Sequence, residues 1–186
     1  MPAIIEHIPW MIGGCVAVVL LMLLVLALCY KKPEQGQALI RTGMGGTVVS
    51  FTGKVVIPLL QKVEFLEITL KRIVIERLGN EALTCKDETR ADVKAAFFVR
   101  INPIVDDVLH VVSKLGVTRA TDTAVLKEIY VERFIQAMTT VTSEYDFGTL
   151  SNLELFKEKV MDCVGKDLDG FMLDVVTIDY LEKSEQ

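Results

Sequence analysis

The sequence predicts an α+β fold: an N-terminal transmembrane helix, then a domain of about 150 residues with a strand-rich first half and a helix-rich second half. Three observations carry this prediction. Residues 8–30 are an apolar run without a formal charge. Ala91, Val93, Ala95, Phe97, Val99 and Ile101 alternate with polar or charged neighbours over most of their length, the period of a half-buried strand. Beyond Ile101, apolar positions recur at helical spacing in three segments with their own start and stop signals, before a last β-prone run.

The run Ile8 through Tyr30 would rise about 34 Å as a helix, enough to cross a hydrocarbon core of about 30 Å with some tilt. Trp10 and Tyr30 stand near its ends, where amphipathic rings favour the headgroup level. A cleaved signal peptide fits poorly, because Glu6 and His7 stand where a basic n-region belongs and no A-x-A site follows. Lys31 and Lys32 directly follow the run and no basic side chain precedes it. The positive-inside bias therefore predicts a single-pass protein of the cell membrane, with residues 1–7 outside and the domain in the cytoplasm.

Charge divides unevenly along the domain. Residues 31–100 hold 12 Lys/Arg and 8 Asp/Glu, a net of +4; residues 101–186 hold 8 and 16, a net of −8. The basic half follows the apolar run and suits an anionic leaflet; the acidic half argues against nucleic acid as a partner. A subunit with opposite halves could also pack head-to-tail, an arrangement that gives rings when its rotation closes.

The pattern predicts a strand-rich membrane-proximal subdomain over 31–101 and a helix-rich one over 102–186. Gln37–Arg41 and Thr47–Phe51 read as short strands around the turn residues Gly43, Gly45 and Gly46. Lys54–Ile57, the stretch around Val63–Leu70 and Ile73–Ile75 follow. Asn102-Pro103 reads as the start of a helix with Ile104, Val108, Val111, Val112 and Leu115 on one face and Gly116 as its stop. A second helix is expected over 122–141 with Leu126, Ile129, Phe134 and Met138 inward. Ser151-x-x-Glu154 reads as a capping box for a third, ending near Gly170, and a closing strand over 171–178.

The chain offers little reactive chemistry. His110 lies three and four residues after Asp107 and Asp106 on the polar side of its helix, the pattern of a solvated ion pair. His7 adjoins the apolar run, so a His-rich metal site has no second domain histidine. Gly43-Met44-Gly45-Gly46 lacks the third glycine and the following helix of a dinucleotide loop, and neither Gly-Lys-Ser/Thr nor G-x-S-x-G occurs. Cys15, Cys29, Cys85 and Cys163 form no C-x-x-C pair and are expected as free, buried thiols. No catalytic residue, cofactor or metal is expected.

One segment suggests a function. Val55, Val56, Ile57, Pro58, Leu59 and Leu60 form an apolar patch bracketed by Lys54 and Lys62. Proline disfavours a central strand. The patch could lie at an edge and dip into the headgroup region with both lysines on phosphates; alternatively, Val56, Ile57 and Leu59 complete the core.

The order of these runs resembles a known family. Val56-Ile57-Pro58-Leu59-Leu60-Gln61-Lys62-Val63 is followed by Ile68-Thr69-Leu70, then by Leu83-Thr84-Cys85-Lys86-Asp87 before the strand at Ala91–Ile101, and the end reads Gly170 through Ile178. Together with the N-terminal span this resembles the SPFH domain of the stomatin, prohibitin and flotillin superfamily, most closely a bacterial flotillin. The resemblance implies a non-enzymatic scaffold whose copies assemble side by side into homo-oligomeric rings or cages on the lipid bilayer and organise membrane microdomains and other membrane proteins. The alternative it implies is a regulatory partner confining a membrane protease or another membrane complex. Flotillins continue into a long Ala/Glu-rich coiled coil, whereas this chain stops at Gln186 without heptads, so it resembles the membrane-proximal part of such a protein.

Overall fold

The computed structural model describes residues 2–43, 45–57 and 60–184, with side chains described from Gly13 onward. Two compact units emerge, Met1–Phe65 and Leu66–Gln186.

In the first unit, helix α1 runs Pro2–Cys29. Every residue from Gly13 to Leu28 is exposed, leucines and valines on all sides included. Among the described residues, no helix is long and apolar enough to cross a membrane. After α1, β1 (Tyr30–Lys31) pairs antiparallel with β4 (Lys54–Val55). Between them, β2 (Gln37–Gly43) and β3 (Gly46–Ser50) form the expected glycine hairpin, with Gly43 opposite Gly46. Gly45 and Gly46 both have positive φ, which a tight antiparallel turn requires and a side chain resists. Strand β5 (Gln61–Glu67) completes a three-stranded sheet of order β3-β2-β5. Ala38, Leu39 and Ile40 of the central strand are fully buried.

The second unit is an antiparallel sheet with helices. Strands β6 (Lys71–Arg77), β7 (Leu83–Thr84), β8 (Arg90–Ile101), β9 (Asp167–Leu168) and β10 (Phe171–Lys183) take the order β6-β8-β10-β9, with β7 also on β8. The alternation read in β8 is observed: Ala91, Val93, Ala95, Phe97, Val99 and Ile101 are all buried. Helices α2 (Val105–Leu115), α3 (Val117–Thr121), α4 (Thr123–Glu144), α5 (Phe147–Leu150) and α6 (Leu153–Val164) lie between β8 and β9 in the chain. Phe134 of α4 stacks flat on Phe97 with ring centroids 4.2 Å apart, and neither ring is exposed. Tyr130, one turn earlier, meets Phe134 at 6.0 Å and Phe171 edge-on at 5.8 Å.

Several local expectations are corrected. Helix α2 starts at Val105, not at Asn102-Pro103: the Asn102 amide continues the strand by donating to Gly170 O, and its side chain donates to Asp107. Asn152, not Ser151, caps α6, because Ser151 closes α5, its amide and hydroxyl both bonding Phe147 O. That helix ends at Gly165, whose positive φ terminates it, while Gly170 serves the tight β9–β10 turn. A Cβ at Gly170 would lie 2.9 Å from Val111 Cγ2. Ile129 is exposed, because Leu126, Tyr130 and Phe134 define the inward face of α4.

Strand β10 outruns its predicted end through two register shifts, between Leu173 and Val175 and between Ile178 and Tyr180. The skipped residues, Asp174 and Asp179, accept from Arg100 of the adjoining β8 at 3.2 Å and from Arg72 of β6, one strand further across the sheet, at 2.9 Å. Each bulge turns an acid out of the ladder and breaks the period-two pattern.

The buried Tyr130 hydroxyl donates to Leu168 O at 2.9 Å. Burial, reinforced by the charge of Asp169, pushes this phenol up to about 12. The folded chain therefore keeps a proton that the unfolded chain loses above its ordinary value of 10.0. Stability is unaffected by this group below that pH and falls as pH rises toward about 12. Tyr130→Phe is expected to flatten this alkaline decline in chemical denaturation of the detergent-solubilised chain; an unchanged slope contradicts the assignment.

Candidate membrane-facing site

The C-terminal end of α1 is stitched into the first unit by main-chain bonds. The Val56 amide donates to the carbonyl of Cys29, the last residue of α1, at 2.8 Å, satisfying an acceptor that the helix end leaves open. The next two residues form β1 and pair with β4, Tyr30 opposite Val55 and Lys31 opposite Lys54. The Tyr30 ring lies over Gly53, where a Cβ would overlap its hydroxyl. The segment that follows is held as well. The Leu60 and Gln61 amides both donate to Ile57 O at 3.0 Å, and Gln61 Oε1 accepts from the Ile57 amide at 3.3 Å. Gly43 permits this approach, since a Cβ there would stand 2.7 Å from Leu60 O.

This backbone places the patch residues differently from one another. Val56 is buried, as the core alternative requires. Ile57 is not: Tyr30, Val55, Ile57, Leu60 and Phe65 are each between 42% and 52% exposed. Pro58 and Leu59 lie outside the described residues, as do the side chains of Ile8 and Trp10 within α1. Lys31, Lys32 and Lys62 are exposed and Lys54 half-buried. Lys62 pairs with Glu64 at 2.9 Å, while no carboxylate pairs with Lys31, Lys32 or Lys54 among the described residues.

An open groove of about 700 Å³ runs beside the junction. Val56, Leu60, Val63 and Phe65 supply apolar lining, and Lys31, Thr42, Gln61 and Lys62 supply polar groups. Thr42 and Phe65 were not singled out as site residues by the sequence. Adjacent Phe65 and Leu66 were the available signal, since neighbours in a strand face opposite ways and Leu66 is the fully buried one.

The remaining reactive groups do not converge. His110 is exposed on α2, and Asp107, its nearest candidate partner in sequence, instead accepts from Asn102 at 2.7 Å. Among the described residues, no three His, Cys, Asp or Glu side chains gather to hold a metal. All four cysteines are free, but only Cys85 is buried; Cys15 and Cys163 are exposed, so the expectation of buried thiols is corrected for both. Burial, with Asp87 and Asp146 adding to it, pushes the Cys85 thiol up to about 11, which leaves it a poor nucleophile at neutral pH.

In sequence, the chain is similar to flotillin family inner membrane proteins, as the SPFH resemblance anticipated. One such protein is YqiK of Escherichia coli (strain K12), 28% identical over 185 residues, a match covering 96% of this chain and 33% of that protein. Another, from Synechocystis sp., is 26% identical over 182 residues, covering 91% of this chain and 27% of its own length. The chain thus spans a third or less of the relatives it matches. No protein-family model matches it.

Gly53→Ala is expected to destabilise the chain by about 1–3 kcal/mol in denaturant titration, because the added methyl collides with Tyr30. Combining it with Tyr30→Ala should recover much of that loss. Simple additivity of the two substitutions would show that the ring does not pack on Gly53.

Proposed function

We propose that the chain is a membrane-anchored scaffold subunit. On this reading α1 holds it in the bilayer as a single pass, the N-terminus lies outside and the domain lies in the cytoplasm. Copies pack side by side into rings or cages that organise membrane microdomains and the proteins within them. The observation that carries the proposal is the similarity to flotillin family inner membrane proteins along 96% of the chain. The uncharged run at residues 8–30 and the lysines directly after it support the anchor and its direction.

The junction supports a second feature. If α1 crosses the bilayer, Val55, Ile57 and Leu60 meet the headgroup region, because Val56 is bonded to the last residue of the helix. Their exposure is costly in water and favourable at that depth. The strand-rich stretch 31–101 is then membrane-proximal, and its net charge of +4 against −8 over 101–186 favours head-to-tail contact between copies.

Electron microscopy of the full chain in mild detergent is expected to show closed rings or cages that loosen at high salt; dispersed monomers at all salt concentrations would contradict side-by-side assembly. Depth is testable separately. Trp10 is the chain's single tryptophan, so Leu60→Trp in a Trp10→Phe background reports one position. Its fluorescence should be quenched by lipids brominated near the headgroup end of the acyl chain; quenching only by a water-soluble agent would place the patch outside the bilayer.

A further inference from the structure

We infer that the groove beside the α1–β4 junction is a binding site for one anionic phospholipid, with its phosphate between Lys31 and Lys62 and the first part of an acyl chain along Val63 and Phe65. The inference rests on the proposed membrane anchor and specifies the lipid class that anchor meets.

Position is the first argument. Val56 forms part of the groove lining and its amide is bonded to Cys29 O, so the groove opens beside the end of the apolar helix, at the level where headgroup phosphates lie. Size is the second. About 700 Å³ is within the range of small-molecule sites but is smaller than a whole diacyl lipid, so it suits a headgroup and upper chain whose remainder stays in the bilayer. The third is division of chemistry. Val56, Leu60, Val63 and Phe65 form an apolar wall, whereas Lys31, Thr42, Gln61 and Lys62 provide donors.

The donors are available. Lys31 has no carboxylate partner among the described residues. Lys62 has only an exposed pair with Glu64, an interaction of little net worth that a phosphodiester can replace. Gln61 turns its oxygen to the Ile57 amide, which leaves its N–H groups for another acceptor. An anionic headgroup satisfies these donors, while a zwitterionic one brings a second cation toward two lysines. Charge therefore favours the anionic class.

The test uses the full chain in mixed micelles of phosphatidylglycerol and phosphatidylcholine, with bound lipid read by native mass spectrometry. The wild type should retain about one phosphatidylglycerol per chain. Lys31→Gln with Lys62→Gln should weaken that preference by about tenfold or more. Lys86→Gln with Lys127→Gln, an equal loss of charge at exposed positions of the second unit, should leave it intact. If the groove variant keeps the preference, or the control loses it equally, the groove is not the site. Displacement of the lipid by excess glycerol phosphate would show that it binds free phosphate esters and would also overturn the inference. Alkaline carbonate extraction separates the two proposals: wild type stripped from membranes removes the anchor reading and this site with it, whereas a retained chain with an unchanged groove variant removes only the site.

Discussion

The pairing of β1 with β4, extended by the Val56–Cys29 hydrogen bond, is the constraint on which the first unit depends. Each of its main-chain bonds adds only about 0.5–1.5 kcal/mol net, so its importance is geometric. Helix α1 buries none of its described residues from Gly13 to Leu28. Its direction relative to β4 is therefore set at its C-terminal end. Without that pairing, Tyr30, Val55, Ile57 and Leu60 would be scattered apolar side chains. With it, they gather near one helix terminus beside Lys31, Lys32 and Lys54, which have no acid partner among the described residues, and a mixed apolar and cationic surface results.

The second unit solves a different problem, that of holding a long two-stranded ribbon in register. Strands β8 and β10 pair from Ile101–Phe171 to Ala91–Lys183. One face of β8 is closed by α4 through the Phe97–Phe134 stack, and Arg133 of the same helix donates to Val164 O and Asp167 O, covering the C-terminal end of α6. A single helix thus secures both the sheet face and its neighbouring helix. The surface ion pairs of this sheet, such as Lys94–Glu76 at 2.6 Å, are exposed and contribute little to stability beside that packing.

What the sequence made legible follows its regular periods. The alternation in β8, the glycine hairpin and most of the inward face of α4 could be read because burial imposes period two or 3.6 on neighbouring residues. The bulges at Asp174 and Asp179 broke that period and hid the end of β10. Capping was misread where two short helices abut, since Ser151 and Asn152 are both good caps and only the presence of α5 decides between them. The candidate site was half legible. Its lysines and apolar residues from 54 to 62 stood out by composition and Tyr30 by its place at the end of the apolar run, but Thr42 joins them through the nonlocal pairing of β2 with β5, which no local pattern encodes.

The most direct test of this account is the distance across the junction in the full chain. Opposite residues of an antiparallel pair have Cα atoms about 4.5–5.5 Å apart, within disulfide reach. In a background with Cys15 and Cys29 replaced by serine, Tyr30→Cys with Val55→Cys should oxidise rapidly to an intrachain disulfide, identified by mass spectrometry of the linked peptide. The offset pair Lys32→Cys with Val55→Cys should oxidise far more slowly. Equal rates for the two pairs, or no cross-link in either, would contradict the stitched junction and the mixed apolar and cationic surface built on it.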